Sequence, residues 1–244
     1  IYYMDEVKLK QAFMEAIKYE LDIHYCGQKP VAEVKDILTK NLPLQEGVQA
    51  STSPEIREKK TYENTQVYFL GNSNVQQATI YFYFNGKPYD KEQNVLFQAF
   101  NQYFSGGFTG IVLDEIREKR SMAYTASGNM SRGALPGKKA SFMGYIGTQS
   151  DKVVEAINVF MSLLDSMPEY PERIESVKAA LLQYAQISKP DFRSKTETYD
   201  AWREMGYEID PAKYNQEAIN NLTFEQIKQF YEENIKGQPV SIIV

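Results

Sequence analysis

Arg117 and Tyr124 stand seven positions apart in "GFTGIVLDEIREKRSMAYT", residues 107–125, as an R-x6-Y pair. A guanidinium presents several N–H donors in a planar fork and a phenol adds one hydroxyl, so together they suit polarised carbonyl oxygens. On a helical wheel of about 100° per residue, Leu113, Ile116, Arg117 and Arg120 share one apolar sector. Glu115, Glu118 and Lys119 point the other way on the same wheel. An arginine at the edge of a buried stripe must meet a carboxylate, carbonyls or a ligand, because an unpaired buried charge costs several kcal/mol. Helix-dipole stabilisation of a cation in the last turn, about 0.3 to 1 kcal/mol, and a snorkelling stem account for one arginine better than for two.

Other chemistries fail on their residue requirements. Hydrolytic zinc needs about three protein ligands, and a chain with one histidine, His24, contains neither H-E-x-x-H nor its inverse. His24 and Cys26 would share a strand face, but with no third ligand close by they read as structural residues, and no metal site is assigned. A serine nucleophile lacks both a G-x-S-x-G elbow and a histidine base. "SGGFTG", Ser105, Gly106, Gly107, Phe108, Thr109 and Gly110, joins helix to helix without the lysine of a phosphate loop. Its plainest reading is a helix stopped by paired glycines, with Thr109 capping the next helix.

Positioning these residues requires a sizeable fold, and 244 residues with 43% apolar content can build one. The 27 basic and 32 acidic residues are interspersed, without a polybasic block, so nucleic acid and anionic membrane are poor partners. A single cysteine forms no internal disulfide. The start at Ile1, without a signal-like segment, predicts a fragment of a longer protein and leaves the compartment unknown.

Periodicity predicts a helix over the first twenty residues with Val7, Phe13 or Met14, and Ile17 inward, then a strand in "ELDIHYCG". A second helix follows, with Pro30 at its first position and Val31, Val34, Ile37 and Leu38 on one stripe. "LQEGVQASTSPEIREKKTYENT" is a polar surface connection. Two β-rich runs lie between Gln66 and Phe84, the second setting Ile80, Phe82 and Phe84 against Thr79, Tyr81 and Tyr83. Asp90 and Gln93 form a capping-box pattern before a helix that buries Leu96, Phe100 and Tyr103. "MAYTASGNM" and "KASFMGYIGT" read as strands joined by the turn "SRGALPGK". Two helical stripes follow, Val153, Ile157, Phe160, Leu164 and Ile174, Val177, Leu181, Tyr184. A capping box at Thr223 and Gln226 opens a last helix, and "QPVSIIV" ends as a strand. The expectation is an α+β fold, helices layered on a mostly antiparallel sheet, in a single domain over 1–244.

The block "YFSGGFTGIVLDEIREKRSMAYT" resembles the pitrilysin and insulysin family of zinc metallopeptidases, which includes proteins like the mitochondrial processing peptidase, in the half that lacks zinc. "DIHYCGQKPVAEVKDIL" and "LTFEQIKQFYEENIKGQPVSIIV" extend the resemblance over most of the chain. The resemblance implies paired homologous α+β halves around a chamber, one holding zinc through H-x-x-E-H and a distant glutamate. It implies that Arg117 and Tyr124 reach peptide carbonyls near that metal, and that Ser105, Gly106, Gly107, Phe108, Thr109 and Gly110 lie near the chamber and contact substrate. This chain would then hold no cofactor, and its partners would be a peptide and a zinc-bearing half in the same polypeptide or another subunit. Without H-x-x-E-H it would hydrolyse nothing alone. The rivals are an inactive scaffold homologue and a free-standing module that binds peptides by strand addition along Gln66 to Phe84.

Overall fold

A computed structural model describes residues 4–43, 47–50, 60, 62–72, 75–133 and 137–244. These fall into two compact units, Ile1–Glu58 with Pro190–Asp200, and Lys59–Lys189 with Ala201–Val244. Much of the polar connection expected between residues 44 and 65, and the tip of the turn at 134–136, lie outside the described residues.

The first unit contains α1 (Glu6–Ala16), capped by the Asp5 side chain, and α2 (Val31–Asn41). Pro30 occupies the N-cap of α2, one position before the expected one. Ile17 is buried, but Val7, Phe13, Val31 and Ile37 are exposed, so the two expected stripes are not core faces within the described residues. The strand expected in "ELDIHYCG" does not form. An isolated parallel bridge between Tyr19 and Gln49 is the only pairing described there. His24 instead sets Nε2 3.5 Å from the Asp200 carboxylate, and the Cys26 thiol lies 3.9 Å from the Thr196 hydroxyl.

The second unit is built on a five-stranded sheet of order β1 (Gln66–Tyr68), β5 (Ser241–Ile243), β2 (Gln77–Pro88), β4 (Lys139–Gln149) and β3 (Ala123–Ser131). It is antiparallel except where β1 meets β5. The two-residue side-chain period of a strand puts Ile80, Phe82 and Phe84 on one face with Phe142 and Ile146, all buried. Against this face pack α3 (Asn94–Ser105) and α5 (Val153–Asp165). Phe82 stacks on Phe160 at 4.2 Å and Phe84 on Phe142 at 4.8 Å. Gly144 makes room for this packing, since a Cβ there would stand 2.6 Å from the Phe160 ring.

The turn before α3 is a 3-10 turn, Lys91–Gln93, capped by Asp90 through the Glu92 N–H, so the expected Asp90 to Gln93 capping box is replaced by a shorter reach. α6 (Ile174–Ile187) buries Val177 and Leu181 but leaves Tyr184 exposed. α7 (Lys195–Glu204), α8 (Pro211–Tyr214) and α9 (Gln216–Asn220) follow, and α10 (Phe224–Asn234) opens with the expected Thr223 and Gln226 capping box. No helix among the described residues is long and apolar enough to cross a membrane.

Candidate functional site

The link from α3 to β3 departs from regular geometry at several successive points. α3 stops at Ser105, Gly106 caps it, and Gly107 adopts φ +58°, where glycine is unstrained. Gly107–Thr109 form a 3-10 turn that includes Phe108. The N-cap of the next helix is Gly110, not Thr109 as the spacing suggests, and the cap has no side-chain bond. A Cβ on Gly110 would stand 2.7 Å from the Gly106 nitrogen, so this turn is closed by a backbone approach that only glycine permits. The Ser105 hydroxyl accepts from the Gly128 N–H at 3.0 Å, tying the loop to β3. Ser105 and Gly106 also line an open groove of about 560 Å³ between α3 and α6, beside Gln98, Asn101 and Tyr184.

Helix α4 (Ile111–Leu113) then widens into a π-helical turn, Asp114–Glu118, in which Lys119 N–H donates to the Asp114 carbonyl at 3.0 Å. A π turn inserts a residue into the helical count and resets the phase of every side chain after it. The wheel fails here for a plainer reason: Ile111, Val112, Glu115 and Ile116, at ordinary i, i+4 spacing, form the buried face, and Leu113 lies to its side. Glu115, expected to face outward, is 7% exposed, while Arg117 and Arg120 keep 35% and 39% of their side chains exposed.

Burial pushes the Glu115 carboxyl upward, but hydrogen bonds from Lys119 at 2.6 Å and from Arg120, with the charges of both, outweigh it and hold the group below the usual carboxylate value. Arg120 also donates to the Glu115 carbonyl at 2.7 Å. Lys119 lies 3.5 Å from Asp114, and Arg173 approaches that same carboxylate at 3.2 Å while donating to the Thr109 carbonyl at 2.9 Å. The Arg173 guanidinium rests 4.3 Å from the centroid of Tyr170. Arg120 is therefore absorbed by a local ion network, which closes one half of the question raised by two arginines on one stripe.

Arg117 has a different environment. Its Nε lies 3.4 Å from the Glu118 carboxylate, and its guanidinium carbon stands 5.4 Å from the centroid of the Tyr124 ring. Contacts of this kind at exposed sites contribute about 0.5 to 1 kcal/mol. Two further irregularities aim the pair. Ser121 turns the chain with φ +49°, a left-handed conformation usually left to glycine, and Met122 N–H reaches back to the Ile116 carbonyl at 3.0 Å. In β3, Ala123 pairs with Thr148 and Thr125 with Gly147, so Tyr124 is the extra residue of a β-bulge. A bulge leaves its extra residue outside the ladder and re-aims it. Tyr124 is 83% exposed.

Sequence reasoning brought Arg117 and Tyr124 to one place, and the structure sets them together at the surface of the second unit. It missed Glu115, Lys119, Tyr170 and Arg173, which brace the segment. The charges of "DEIREKR" were the one local signal for Glu115 and Lys119. Among the described residues no group of three histidine, cysteine, aspartate or glutamate side chains is arranged to hold a metal ion.

Comparison with known proteins follows the same outline. The family model described as the Peptidase M16 inactive domain matches residues 23–181, more than half of the chain. No curated protein sequence matches. The fold is similar to a peptidase M16 inactive domain from Pseudomonas fluorescens, with TM-score 0.63 and 15% identity over 78% of this chain and 46% of that one. It is similar to a protease from Helicobacter pylori, with TM-score 0.65 and 13% identity over 89% of this chain and 53% of that one. A ferredoxin protease solved in complex with Arabidopsis ferredoxin gives TM-score 0.66 and 8% identity over 99% of this chain and 26% of that one. This chain thus spans about half the length of the first two structures, and at these identities the likeness is one of fold.

Proposed function

Because this chain belongs to the Peptidase M16 inactive-domain family, we propose that it is the zinc-free, substrate-contacting half of a zinc endopeptidase, working beside a zinc-bearing half in the same polypeptide or a partner subunit. The carrying observation is the exposed pair of Arg117 and Tyr124, held 5.4 Å apart on a braced and irregular segment. Left-handed non-glycine backbone and bulges cost free energy, and such costs persist where the surroundings over-determine the geometry. Here the bracing groups are Glu115 with its two cations and Arg173 on the loop.

In this reading Arg117 donates to a backbone carbonyl of an extended peptide and orients it. Tyr124 donates its hydroxyl to the carbonyl oxygen that gains charge in the transition state, a donor placement worth about 2.7 to 4 kcal/mol when fully used. The loop from Ser105 to Gly110 lies next to the peptide path and contacts substrate through its backbone. The metal belongs to the other half, where it supplies Lewis-acid and water-activating chemistry. This chain contributes binding, orientation and hydrogen-bond donation.

The test is to assemble the chain with a zinc-bearing half that carries H-x-x-E-H and to measure peptide turnover. Arg117→Ala and Tyr124→Phe are each expected to lower kcat/KM by about 10² to 10³-fold. Unchanged turnover in both variants would leave the chain as a structural or interaction domain.

A further inference from the structure

A cavity that neither Arg117 nor Tyr124 lines opens elsewhere in the second unit. It encloses about 390 Å³ among the N-terminal half of α3, the C-terminal half of α6, the end of α7, and α8 and α9, and every residue lining it belongs to this unit. Its walls are largely aromatic, with Trp202, Tyr184, Phe97 and Tyr89. One polar group on it is orphaned. Tyr207 is 3% exposed, and its hydroxyl finds no hydrogen-bond partner among the described residues. Burial first, and then the neighbouring Tyr207 phenol, push the Tyr89 hydroxyl above its usual value, with Arg132 pulling the other way. Tyr89 nevertheless donates to Asn94 Oδ1 at 3.0 Å, and no hydrogen bond joins the two phenols. Buried hydroxyls are nearly always satisfied, because an unmet one costs free energy.

The backbone fixes this placement. α7 closes in a Schellman turn, in which Gly206 takes φ +82° and donates to the Arg203 carbonyl while the Tyr207 N–H reaches back to the Trp202 carbonyl, each at 2.9 Å. The Lys91 ammonium holds the Gly206 carbonyl at 2.8 Å, and the Tyr207 ring meets Tyr214 edge to face at 5.4 Å. Charge on the lining is sparse: only Arg132 and Asp210 carry any. Asp210 is compensated by Lys189 at 2.9 Å and by the Ala212 N–H at 2.8 Å. Arg132, just past the end of β3, forms no ion pair with a described residue.

We infer that this cavity is a binding site for a single carboxylate carried on a flat apolar group. One uncompensated positive charge matches a monoanion, whereas a dianionic phosphate would bring unmatched charge into a largely apolar cavity. A carboxylate takes a two-pronged bond from a guanidinium and keeps lone pairs for a phenol, so it engages Arg132 and gives the Tyr207 hydroxyl the partner it lacks. The apolar group lies against Trp202 and Phe97, and the volume is that of a small-molecule site. Two sources offer this chemistry, a free aryl or alkyl carboxylic acid and the C-terminal residue of a peptide. The inference does not depend on the proposed function.

Trp202 is the chain's one tryptophan and lines the cavity, so its fluorescence reports occupancy. The 244-residue chain is titrated with hydrocinnamate, with hydrocinnamide, and with a short glycine peptide ending in phenylalanine, its carboxylate free or amidated. Hydrocinnamate or the free-ended peptide is expected to saturate the signal at least about tenfold more tightly than the matching amide. Arg132→Gln is expected to erase that preference, bringing the acid to within about twofold of its amide. Tyr207→Phe is expected to weaken the acid by about fivefold to tenfold while the Tm of the unliganded chain holds or rises, because the change deletes an unsatisfied hydroxyl. Saturation by hydrocinnamate alone assigns the site to a free acid, and saturation by the free-ended peptide alone assigns it to a chain end; both support the inference. Equal binding of acid and amide, or no saturable signal with any probe, overturns it. A fall in Tm of more than about 4 °C in Tyr207→Phe also overturns it, since the hydroxyl would then be satisfied in the empty protein. None of these outcomes bears on turnover in the assembled enzyme, so the proposed function is tested separately.

Discussion

The β2 and β4 ladder and the link from Gly110 to Thr125 lie in the same unit and solve opposite problems. The ladder pairs residue for residue from Gln77 with Gln149 through Asn85 with Ser141, so its period of two sorts side chains into a buried and a more open face. The link contains a π turn, a left-handed serine and a bulge within a dozen residues. The ladder's order comes from packing: Phe142 is enclosed by Phe84, Phe104 and Phe160. Polar bracing holds the link, with Glu115 as its buried anchor and Arg173 tying in the loop. Regular geometry maximises burial, whereas irregular geometry places chosen side chains in the open, and the chain uses each where its product is needed.

The largest effect that would sharpen this contrast comes from the ladder. Phe142→Ala is expected to cost about 3 to 5 kcal/mol in urea unfolding, while turnover per folded molecule in the assembled enzyme stays within about twofold. Arg117→Ala should do the reverse, with the loss of about 10² to 10³ in kcat/KM and a change in stability within about 0.5 kcal/mol. A stability loss above about 2 kcal/mol in Arg117→Ala would break the contrast, because the residue would then be bracing the link.

Glu115→Gln is expected to cost about 1 to 3 kcal/mol at neutral pH, less than a fully enclosed ion pair because Lys119 and Arg120 are half-exposed and can recover water. The pH dependence has a definite sign. Since the folded-state value of Glu115 lies below the ordinary carboxylate value of about 4.3, its stabilisation is present above that value and is lost as pH falls through the lower folded one. Denaturation midpoints measured along an acid series should converge for Glu115→Gln and the unsubstituted protein. The smallest effect is Ser121→Gly, expected to raise stability by up to about 1 kcal/mol in the same unfolding measurement, since glycine relieves the left-handed strain but loses more entropy on folding. Destabilisation by that change would mean that Ser121 does more than turn the chain.

How far the sequence was legible follows the same division. β2, β3, β4 and β5, with α3, α5, α6 and α10, stand close to where periodicity, glycine and capping signals put them. Local patterns suffice where an element is regular and one face is buried. The stripes of Val7 and Phe13 and of Val31 and Ile37 misled, because helical spacing of apolar residues records a tendency to bury and does not supply a surface to bury against. In the candidate site, the wheel that placed Arg117 and Arg120 together followed Leu113 and Ile116, whereas the buried face is that of Ile111, Val112, Glu115 and Ile116, which puts Glu115 inward and leaves the arginines half-exposed. Nothing in "LDEIREKRS" announces a widened turn, or the distant bonds that Lys119 makes to Tyr170 and Arg173 to Asp114.

By itself the sequence determined the α+β class, the alternation that makes one sheet face apolar and the other neutral, and the pairing of an arginine with a tyrosine next to a glycine break. Those properties depend on near neighbours and on side-chain chemistry. Only tertiary structure decided that β5 returns between β1 and β2, that Arg120 is consumed by Glu115, and that Arg117 and Tyr124 meet at the surface. Each of these depends on contacts between residues whose energies enter only once the chain has closed on itself, where burial sets the cost of a charge and decides which partner it must take.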